Sequence, residues 1–305
     1  MVGLILLVLL LALIALPYVL EWRKSPPDRT EAPGEFVQLS QGTTHYRWLG
    51  PIRGPVVVAI HGLTTPSPIW ESMAKALGDI GYRTLVYDLY GRGYSDAPSG
   101  PQDAAFFQRQ LDDLVTHLKL DDDLTIMGYS MGAIVATVWA AENQDRVRQV
   151  VLLASAGHGM TEIGYSGWIR DTPVAGDWLH YLTAGHMARG AFDGGRSEVP
   201  DLEQIQDAQY SRKGFLGAVL SSRRHIFDTD LTTPLAVLNR REIPVFAIWG
   251  QEDHIVPDSA LGDLAALNHD VHQEVIADAG HGLPYTHGRE VAATLREMMR
   301  KIRKE

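Results

Sequence analysis

The 305-residue sequence contains no cysteine, which excludes a disulfide scaffold, a cysteine nucleophile and a thiolate metal site. Positive charge is also scarce, because 27 Lys and Arg stand against 37 Asp and Glu, for a formal net charge of −10. Nucleic-acid backbones are bound by clustered Lys and Arg, so we expect no nucleic-acid partner. His180 and His186 lack the spacing of zinc hydrolases, and we expect no metal.

A long uncharged segment opens the chain. Residues Val2 to Leu20 carry no charged side chain and consist almost wholly of Leu, Ile, Val and Ala. As a helix they rise about 28 Å, close to the hydrocarbon thickness of a bilayer. Tyr18 and Trp22 lie at its end, where aromatic side chains favour the membrane interface. With no basic start and no small-x-small exit, residues 1–24 are interpreted as an uncleaved transmembrane anchor.

The residues after this segment bear on topology. Arg23, Lys24 and Arg29 follow it and none precedes it, so the positive-inside rule favours a cytoplasmic main domain. The charge bias is small, and the side of the membrane stays open. Residues 25–35 are polar and rich in proline, which is typical of a linker.

From residue 36 onward the sequence alternates strand and helix patterns. Phe36–Leu39 and Thr43–Leu49 predict an antiparallel hairpin. Further strands are predicted at Val56–Ile60, Thr84–Tyr87, Leu124–Met127, Val147–Leu153, Val245–Trp249 and Glu274–Ile276, and helices at Ile69–Ile80, Ala104–Leu118, Ala133–Ala141, Ser259–Leu267 and from Arg289. The alternation predicts an α/β fold, a mostly parallel sheet with helices on both faces.

The alternation stops between residues 158 and 240. This segment is predicted to be helical or irregular, and its aromatic side chains either line an apolar pocket or fix the segment to the core. They are Tyr165, Trp168, Trp178, Tyr181, Phe192, Tyr210, Phe215 and Phe227. We interpret residues 158–240 as a cap over the carboxyl edge of the sheet, inserted between core segments 36–157 and 241–305.

A candidate nucleophile lies in Gly128-Tyr129-Ser130-Met131-Gly132, which fits G-x-S-x-G between a predicted buried strand and an Ala-rich helix. A serine hydroxyl attacks carbonyls only when it is exposed beside a base, and a tight strand-to-helix turn provides that exposure. Ser130 is therefore the predicted catalytic serine. The alternative is a serine that caps the following helix.

The base and its partner are sought late in the chain. His281 lies in the glycine-flanked loop after the last predicted strand, and Asp253 follows the strand Val245–Trp249. The intervening residues suffice for one helix and one strand, so both side chains are expected at one sheet edge. Asp253 would orient the imidazole and stabilise its protonated form. Glu252 is the second candidate for the acid.

A tetrahedral intermediate also needs two donors for its oxyanion. The backbone amide of Met131, directly after the serine, is one candidate, and the amide of Leu63, in the loop after Val56–Ile60, is the other. Both side chains could equally shape the pocket.

Together these motifs resemble the α/β-hydrolase superfamily, in particular its branch of capped serine esterases and meta-cleavage-product hydrolases. The matching residues occur in order, in His61-Gly62-Leu63, Asp88 to Ser95, Gly128 to Gly132, Trp249 to Asp253 and Gly280-His281. The resemblance covers about residues 36–305 and implies no metal and no organic cofactor. Family members with an aspartate nucleophile are excluded by Ser130.

The function predicted from this resemblance is hydrolysis of a small-molecule carboxylic ester, with an apolar or lipid-like ester suggested by the anchor and the aromatic cap. One alternative is a carbon–carbon hydrolase, for which Arg170, Arg223 and Arg224 are candidate carboxylate-binding residues, although Tyr129 stands where such enzymes usually carry asparagine. Another is a non-catalytic ligand-binding member of the fold. The oligomeric state is not predicted.

Overall fold

The protein is built on an eight-stranded sheet, seen in a computed structural model that describes residues 1–120, 122–157, 164–188 and 197–302. The strands are β1 (Glu35–Gln38), β2 (Thr43–Leu49), β3 (Val56–Ile60), β4 (Arg83–Tyr87), β5 (Leu124–Tyr129), β6 (Val147–Leu153), β7 (Val245–Gly250) and β8 (His272–Ile276). Their spatial order is β1-β2-β4-β3-β5-β6-β7-β8. Pairing is antiparallel for β1–β2 and β2–β4 and parallel elsewhere, which confirms the predicted sheet.

The helices of the described residues alternate with these strands in the core and follow one another in the cap. They are α1 (Val2–Trp22), α2 (Glu71–Asp79), α3 (Ala104–His117), α4 (Met131–Glu142), α5 (Gly164–Asp171), α6 (Ala175–Ala188), α7 (Leu202–Gln209), α8 (Phe215–His225), α9 (Thr232–Arg240), α10 (Ser259–Leu267), α11 (Leu283–Thr286) and α12 (Gly288–Ile302).

Two boundaries differ from the sequence expectation for local reasons. The helix expected from Ile69 begins as a 3₁₀ turn at Ser67–Trp70 before α2, a common form of helix start. Strand β8 starts at His272 rather than Glu274, since His272 pairs with Phe246. As an edge strand, β8 is buried only at Ile276, and its apolar signal is correspondingly weak.

The core has two layers, one on each face of the sheet. In β3, Val58 and Ile60 belong to the layer that holds α3, α4 and α9, whereas Val57 and Ala59 belong to the layer that holds α2 and α12. All four side chains are almost completely buried. Burial on both faces explains why the parallel strands read as unbroken apolar runs.

The described part of the predicted cap is helical, from α5 to α9. In α9, Leu235 and Leu238 pack into the core layer of α4, so the end of this segment behaves as a core helix. The predicted cap residues 158–163 and Phe192 lie outside the described residues.

Most side chains of helix α1 are exposed, and Pro17 is its one buried residue. By length and composition it could cross a membrane, with a mean hydropathy of 2.9. The predicted linker that follows is bonded to the rest of the protein at several points, two of them in the core. Arg29 pairs with Asp96 at 2.7 Å, and the Pro33 carbonyl lies 2.5 Å from His45 Nε2.

Candidate active site

Ser130 occupies the turn between β5 and α4. Its φ of 51° and ψ of −121° lie in a region that side-chain-bearing residues rarely adopt, which places a strained residue between strand and helix. The Ser130 amide donates to the Leu153 carbonyl at 2.9 Å, and the Ser130 carbonyl accepts from the Ala133 amide at 2.9 Å. The turn is thus held by backbone bonds on both sides.

The two glycines of the pentapeptide are required by close backbone approach. A Cβ at Gly128 would lie 2.3 Å from the Gly132 carbonyl oxygen, and a Cβ at Gly132 would lie 2.3 Å from the Ile60 carbonyl oxygen. Neither contact can be relieved by rotating a side chain. The turn can therefore form only with glycine at both positions.

The three residues predicted to act together lie within hydrogen-bond distance. Nε2 of His281 is 3.0 Å from Ser130 Oγ, and Nδ1 of His281 is 2.8 Å from Asp253 Oδ2. Asp253 follows β7 and His281 follows β8, while Ser130 follows β5. Because β5, β6, β7 and β8 are neighbours and pair in parallel, the three loops lie at one edge of the sheet.

The electrostatics fix the protonation pattern of this arrangement. Burial raises the pKa of Asp253, but the hydrogen bond and charge of His281 and the amides of Val256 and Ile255 outweigh it, so the pKa is lowered overall. An ionised Asp253 can only accept, so His281 Nδ1 must carry a proton and donate. In neutral His281, Nε2 is then free to accept the Ser130 hydroxyl proton.

The two predicted oxyanion donors lie after neighbouring strands, β3 and β5. Met131 is the first residue of α4, and its amide has no intrahelical acceptor. Leu63 lies in the loop after β3, and a Cβ on the preceding Gly62 would be 3.4 Å from the Ser130 Cβ. The loop thus passes directly beside the serine.

Sequence reasoning missed Arg92, because in the sequence it is recognisable only as part of a glycine-rich turn. Arg92 is fully buried, and burial lowers its pKa to about 9. Its Nε donates to the Leu63 carbonyl at 2.9 Å and its Nη2 to Ser222 Oγ of α8 at 2.8 Å. Arg92 therefore ties the loop of a predicted oxyanion donor to the cap. The available signal was a charged residue held between two glycines.

His61 was also missed as a support of this loop. Its Nε2 accepts the Leu89 amide at 2.9 Å and its Nδ1 lies 2.8 Å from the Gly62 carbonyl, so the ring is neutral with its proton on Nδ1. Burial is the main cause that lowers the pKa of His61 to about 4. The signal was a buried polar residue at the end of β3.

Asp88, directly after β4, serves a separate buried network. Its carboxylate accepts the amides of Ser67 and Tyr94 at 2.8 and 2.9 Å and lies 2.7 Å from His45 Nδ1. Burial raises the pKa of Asp88, but the bond and charge of His45 outweigh burial and lower it. Asp88 thus organises the turn that contains Arg92.

The arginines considered for binding a substrate carboxylate have partners inside the cap. Arg170 pairs with Asp171 at 2.6 Å, and Arg224 pairs with Asp177 at 2.5 Å. Arg223 donates to the Ser166 hydroxyl at 2.8 Å. Among the described residues, no group of three or more His, Asp or Glu has an arrangement that could hold a metal ion.

Comparison with known proteins places the chain in a family. A family model described as the alpha/beta hydrolase fold matches residues 55–187 and 196–288. The protein belongs to the α/β-hydrolase family. This outcome confirms the resemblance inferred from the motifs.

Several curated relatives of this α/β-hydrolase carry different activities. A non-heme chloroperoxidase of Kitasatospora aureofaciens is 35% identical over 77% of the chain and 88% of its own length. A pimeloyl-[acyl-carrier protein] methyl ester esterase of Aliivibrio salmonicida is 26% identical over 84% and 97%. A haloalkane dehalogenase of Mycolicibacterium paratuberculosis is 40% identical, but over only 35% of the chain and 36% of that enzyme.

Solved structures agree on the fold. The enol-lactonase of Burkholderia xenovorans LB400 superposes with a TM-score of 0.72 at 21% identity, over 87% of this α/β-hydrolase and 99% of that chain. A membrane phospholipase A described as a bacterial virulence factor superposes with a TM-score of 0.73 at 19% identity, over 100% and 98%. At these identities the likeness concerns the fold alone.

Proposed function

We propose that the protein is a serine hydrolase that cleaves carboxylic esters. The observation that carries the proposal is the hydrogen-bonded series Ser130, His281 and Asp253, with distances of 3.0 and 2.8 Å, at a strained strand-to-helix turn. In this proposal Ser130 is the nucleophile, His281 the base and Asp253 the orienting acid. This is the geometry that acyl transfer through a serine requires.

In the proposed mechanism, His281 Nε2 takes the hydroxyl proton as Ser130 Oγ attacks the ester carbonyl. The negative charge that develops on the carbonyl oxygen is met by the amides of Leu63 and Met131. His281 then gives its proton to the leaving alcohol, which leaves an acyl group on Ser130. Water, activated by the same imidazole, attacks this acyl group, and Ser130 is regenerated as the acid product departs.

Three features favour an ester over haloalkane dehalogenation and over carbon–carbon bond hydrolysis. A haloalkane dehalogenase of this fold uses an aspartate nucleophile, and position 130 is serine. The relative from Aliivibrio salmonicida, which is aligned over 97% of its own length, is an esterase by name. For a carbon–carbon hydrolase, a cation should face the substrate carboxylate, but Arg170, Arg223 and Arg224 each have partners in the cap.

An apolar or lipid-like ester fits the surroundings of Leu63. Its side chain packs against an apolar cluster of the cap, which comprises Phe215, Leu216 and Val219 with Tyr181, Ala184 and Tyr210. Apolar walls of this kind favour an apolar acyl or alcohol group. The proposal includes α1 as a single-pass membrane anchor, with the positive-inside rule favouring a cytoplasmic body.

The test is hydrolysis of p-nitrophenyl esters from acetyl to palmitoyl by the full-length protein and by Ser130→Ala. Loss of the nucleophile should lower kcat by about 10⁴–10⁶. Ser155→Ala, a buried serine after β6, is the matched control and should remain active. Equal turnover by Ser130→Ala and wild type would overturn the proposal. A wild type that fails on all esters but takes up a fluorophosphonate at Ser130 would overturn the ester assignment alone.

A further inference from the structure

Helix α1 docks on the cap at a defined point. Proline at position 17 has no amide hydrogen, so the carbonyl of Leu13 loses its intrahelical partner. The indole Nε1 of Trp178, in α6, donates to this same carbonyl at 3.0 Å. A carbonyl without a partner is costly in a bilayer, so the indole replaces a bond that the helix cannot make.

One further contact shows how α1 and α6 run, and another joins the end of α1 to the residue that precedes α8. The rings of Tyr18 and Tyr181 lie 5.6 Å apart, and Glu21 Oε1 accepts the Gly214 amide at 2.8 Å. Leu13 contacts Trp178 and the later Tyr18 contacts the later Tyr181, so α1 and α6 run in the same direction where they touch. The start of α6 points back toward the N-terminal half of α1.

This docking sets the cap against the membrane. Leu13 lies seven residues before Leu20, the end of the uncharged run, or about 10 Å along the helix axis. If α1 occupies the bilayer, Trp178 lies below the level of Leu20, and the turn before α6 lies deeper still. Helix α6 has Asp177 as its one Asp, Glu, Lys or Arg, and Asp177 is paired with Arg224.

The exposed side chains of this hairpin match such a position. Beyond residue 22, the described part of the chain exposes seven large apolar side chains, four of which belong to the hairpin formed by α5 and α6. These four are Tyr165, Trp168, Val174 and Leu182. The charges at the tip, Arg170 and Asp171, neutralise each other at 2.6 Å.

Val174, at the tip of the hairpin, is 71% exposed and has a φ of 66°. A β-branched residue in the left-handed region is strained, by roughly 1–3 kcal/mol. With so little of its surface buried, packing inside the protein does not offset this strain. Burial in a lipid layer would.

We propose that the α5–α6 hairpin is a membrane-contact surface that inserts Trp168 and Val174 into the bilayer leaflet from which α1 emerges. The inference rests on the proposed membrane anchor. Tyr181, which contacts Tyr18 of α1, also belongs to the apolar cluster that packs on Leu63. The hairpin thereby holds the cap side of the proposed active site at the lipid surface, where an apolar ester would arrive.

The absence of cysteine makes a direct test possible. Single cysteines at Leu6, Ile52 and Val174 are labelled with an environment-sensitive nitrobenzoxadiazole dye in the full-length protein, reconstituted in phosphatidylcholine–phosphatidylglycerol vesicles. Lipids with a doxyl group on the acyl chain serve as quenchers. Ile52 is the matched control, because it is 87% exposed and precedes β3, at the sheet edge opposite the cap.

We expect the dyes at positions 6 and 174 to be quenched at least threefold more than the dye at position 52. Quenching at 6 but not at 174 would overturn the hairpin proposal and leave the anchor intact. Absence of quenching at 6 would overturn both, while the ester test would still stand. Fluorophosphonate labelling of Ser130 checks folding, and a cysteine at Trp168 replaces the one at Val174 if that variant misfolds.

The docking bond offers a second readout. Trp178→Phe keeps an aromatic ring but removes the donor to the Leu13 carbonyl. With the dye at position 174, this change should lower quenching about twofold or more, while quenching at position 6 remains. Unchanged quenching at 174 would show that the indole bond does not position the hairpin and would overturn that step.

Discussion

Ser130 and Val174 both adopt a positive φ, of 51° and 66°, yet they occupy opposite surroundings. Ser130 is 7% exposed and its turn is fixed by backbone bonds and by two glycines without room for a Cβ. Val174 is 71% exposed at the tip of a hairpin. The strain at Ser130 is thus held by the protein itself, whereas the membrane-contact proposal assigns the lipid as the partner of Val174.

The largest expected effect concerns the core side of this comparison. Asp253→Asn keeps the size of the side chain but removes the charge that holds the His281 proton on Nδ1. We expect kcat to fall by about 10⁴ on the best p-nitrophenyl ester, with little change in KM. Glu252→Gln, at the adjacent exposed position, is the control and should stay within twofold. A loss of less than tenfold in Asp253→Asn would remove Asp253 from the proposed mechanism.

A smaller effect is expected where core and cap meet. Arg92→Met removes the donor that holds the Leu63 carbonyl and the link to Ser222. Loss of one oxyanion donor costs about 10²–10³, and misplacing one should cost about 10–100-fold in kcat. Arg92→Lys should recover part of this loss, since its ammonium can still donate.

A merely structural role for Arg92 would show differently. The thermal unfolding temperature would then fall by the same amount in Arg92→Met and Arg92→Lys, and KM would change together with kcat. Arg289→Met, at an exposed arginine of α12, is the control for loss of a positive charge and should leave both constants unchanged. Equal kcat values for wild type and Arg92→Met would contradict the positioning role.

The sequence allows prediction of those parts of the molecule that local pattern determines. The strand Val56–Ile60 is buried on both faces, and its sequence is therefore an unbroken apolar run. Ser130 is predictable as the candidate nucleophile because a G-x-S-x-G turn demands glycine at fixed positions. His281 and Asp253 could be placed because parallel strands deliver their loops to one sheet edge.

Contacts between distant segments could not be predicted in this way. Arg92 joins Leu63 to Ser222, which is 130 residues later in the sequence, and no periodicity reports such a bond. The contact of Trp178 with Leu13 spans 165 residues and depends on a carbonyl that Pro17 leaves free. Such pairings arise from the three-dimensional arrangement alone.

The pH dependence of stability offers an intermediate effect on the core side. The pKa of His61 is lowered to about 4 from its usual 6.5, with burial as the main cause and the charge of Arg92 adding to it, against the carboxylate of Asp88 and the Gly62 carbonyl. Between these two values the unfolded chain binds more protons than the folded one, so stability is lost as pH falls from 6.5 toward 4.

His61→Asn should remove this part of the pH dependence. Between pH 7 and pH 5, the free energy of unfolding should fall on the order of 2 kcal/mol less in the variant than in wild type. His180, whose pKa burial also lowers to about 4, is unchanged in both proteins, so the difference isolates His61. The free energy of unfolding is measured by urea denaturation at both pH values. An equal change between pH 7 and pH 5 in the variant and in wild type would contradict a neutral, buried His61.

The smallest effect is expected at the hairpin, and it separates the two sides of the comparison. Val174→Asn places a residue that tolerates the left-handed region at the strained position, but it removes the apolar side chain that the proposal inserts into the bilayer. Turnover of an apolar ester dissolved in vesicles should therefore fall severalfold, while turnover of a water-soluble short-chain ester stays within twofold. Ile52→Asn, at an exposed site away from the cap, should change neither rate. If Val174 only shaped the fold of the cap, the rates on both esters would fall together. A loss confined to the membrane-borne substrate would support contact of this residue with the lipid, and equal rates of Val174→Asn and wild type on both esters would contradict it.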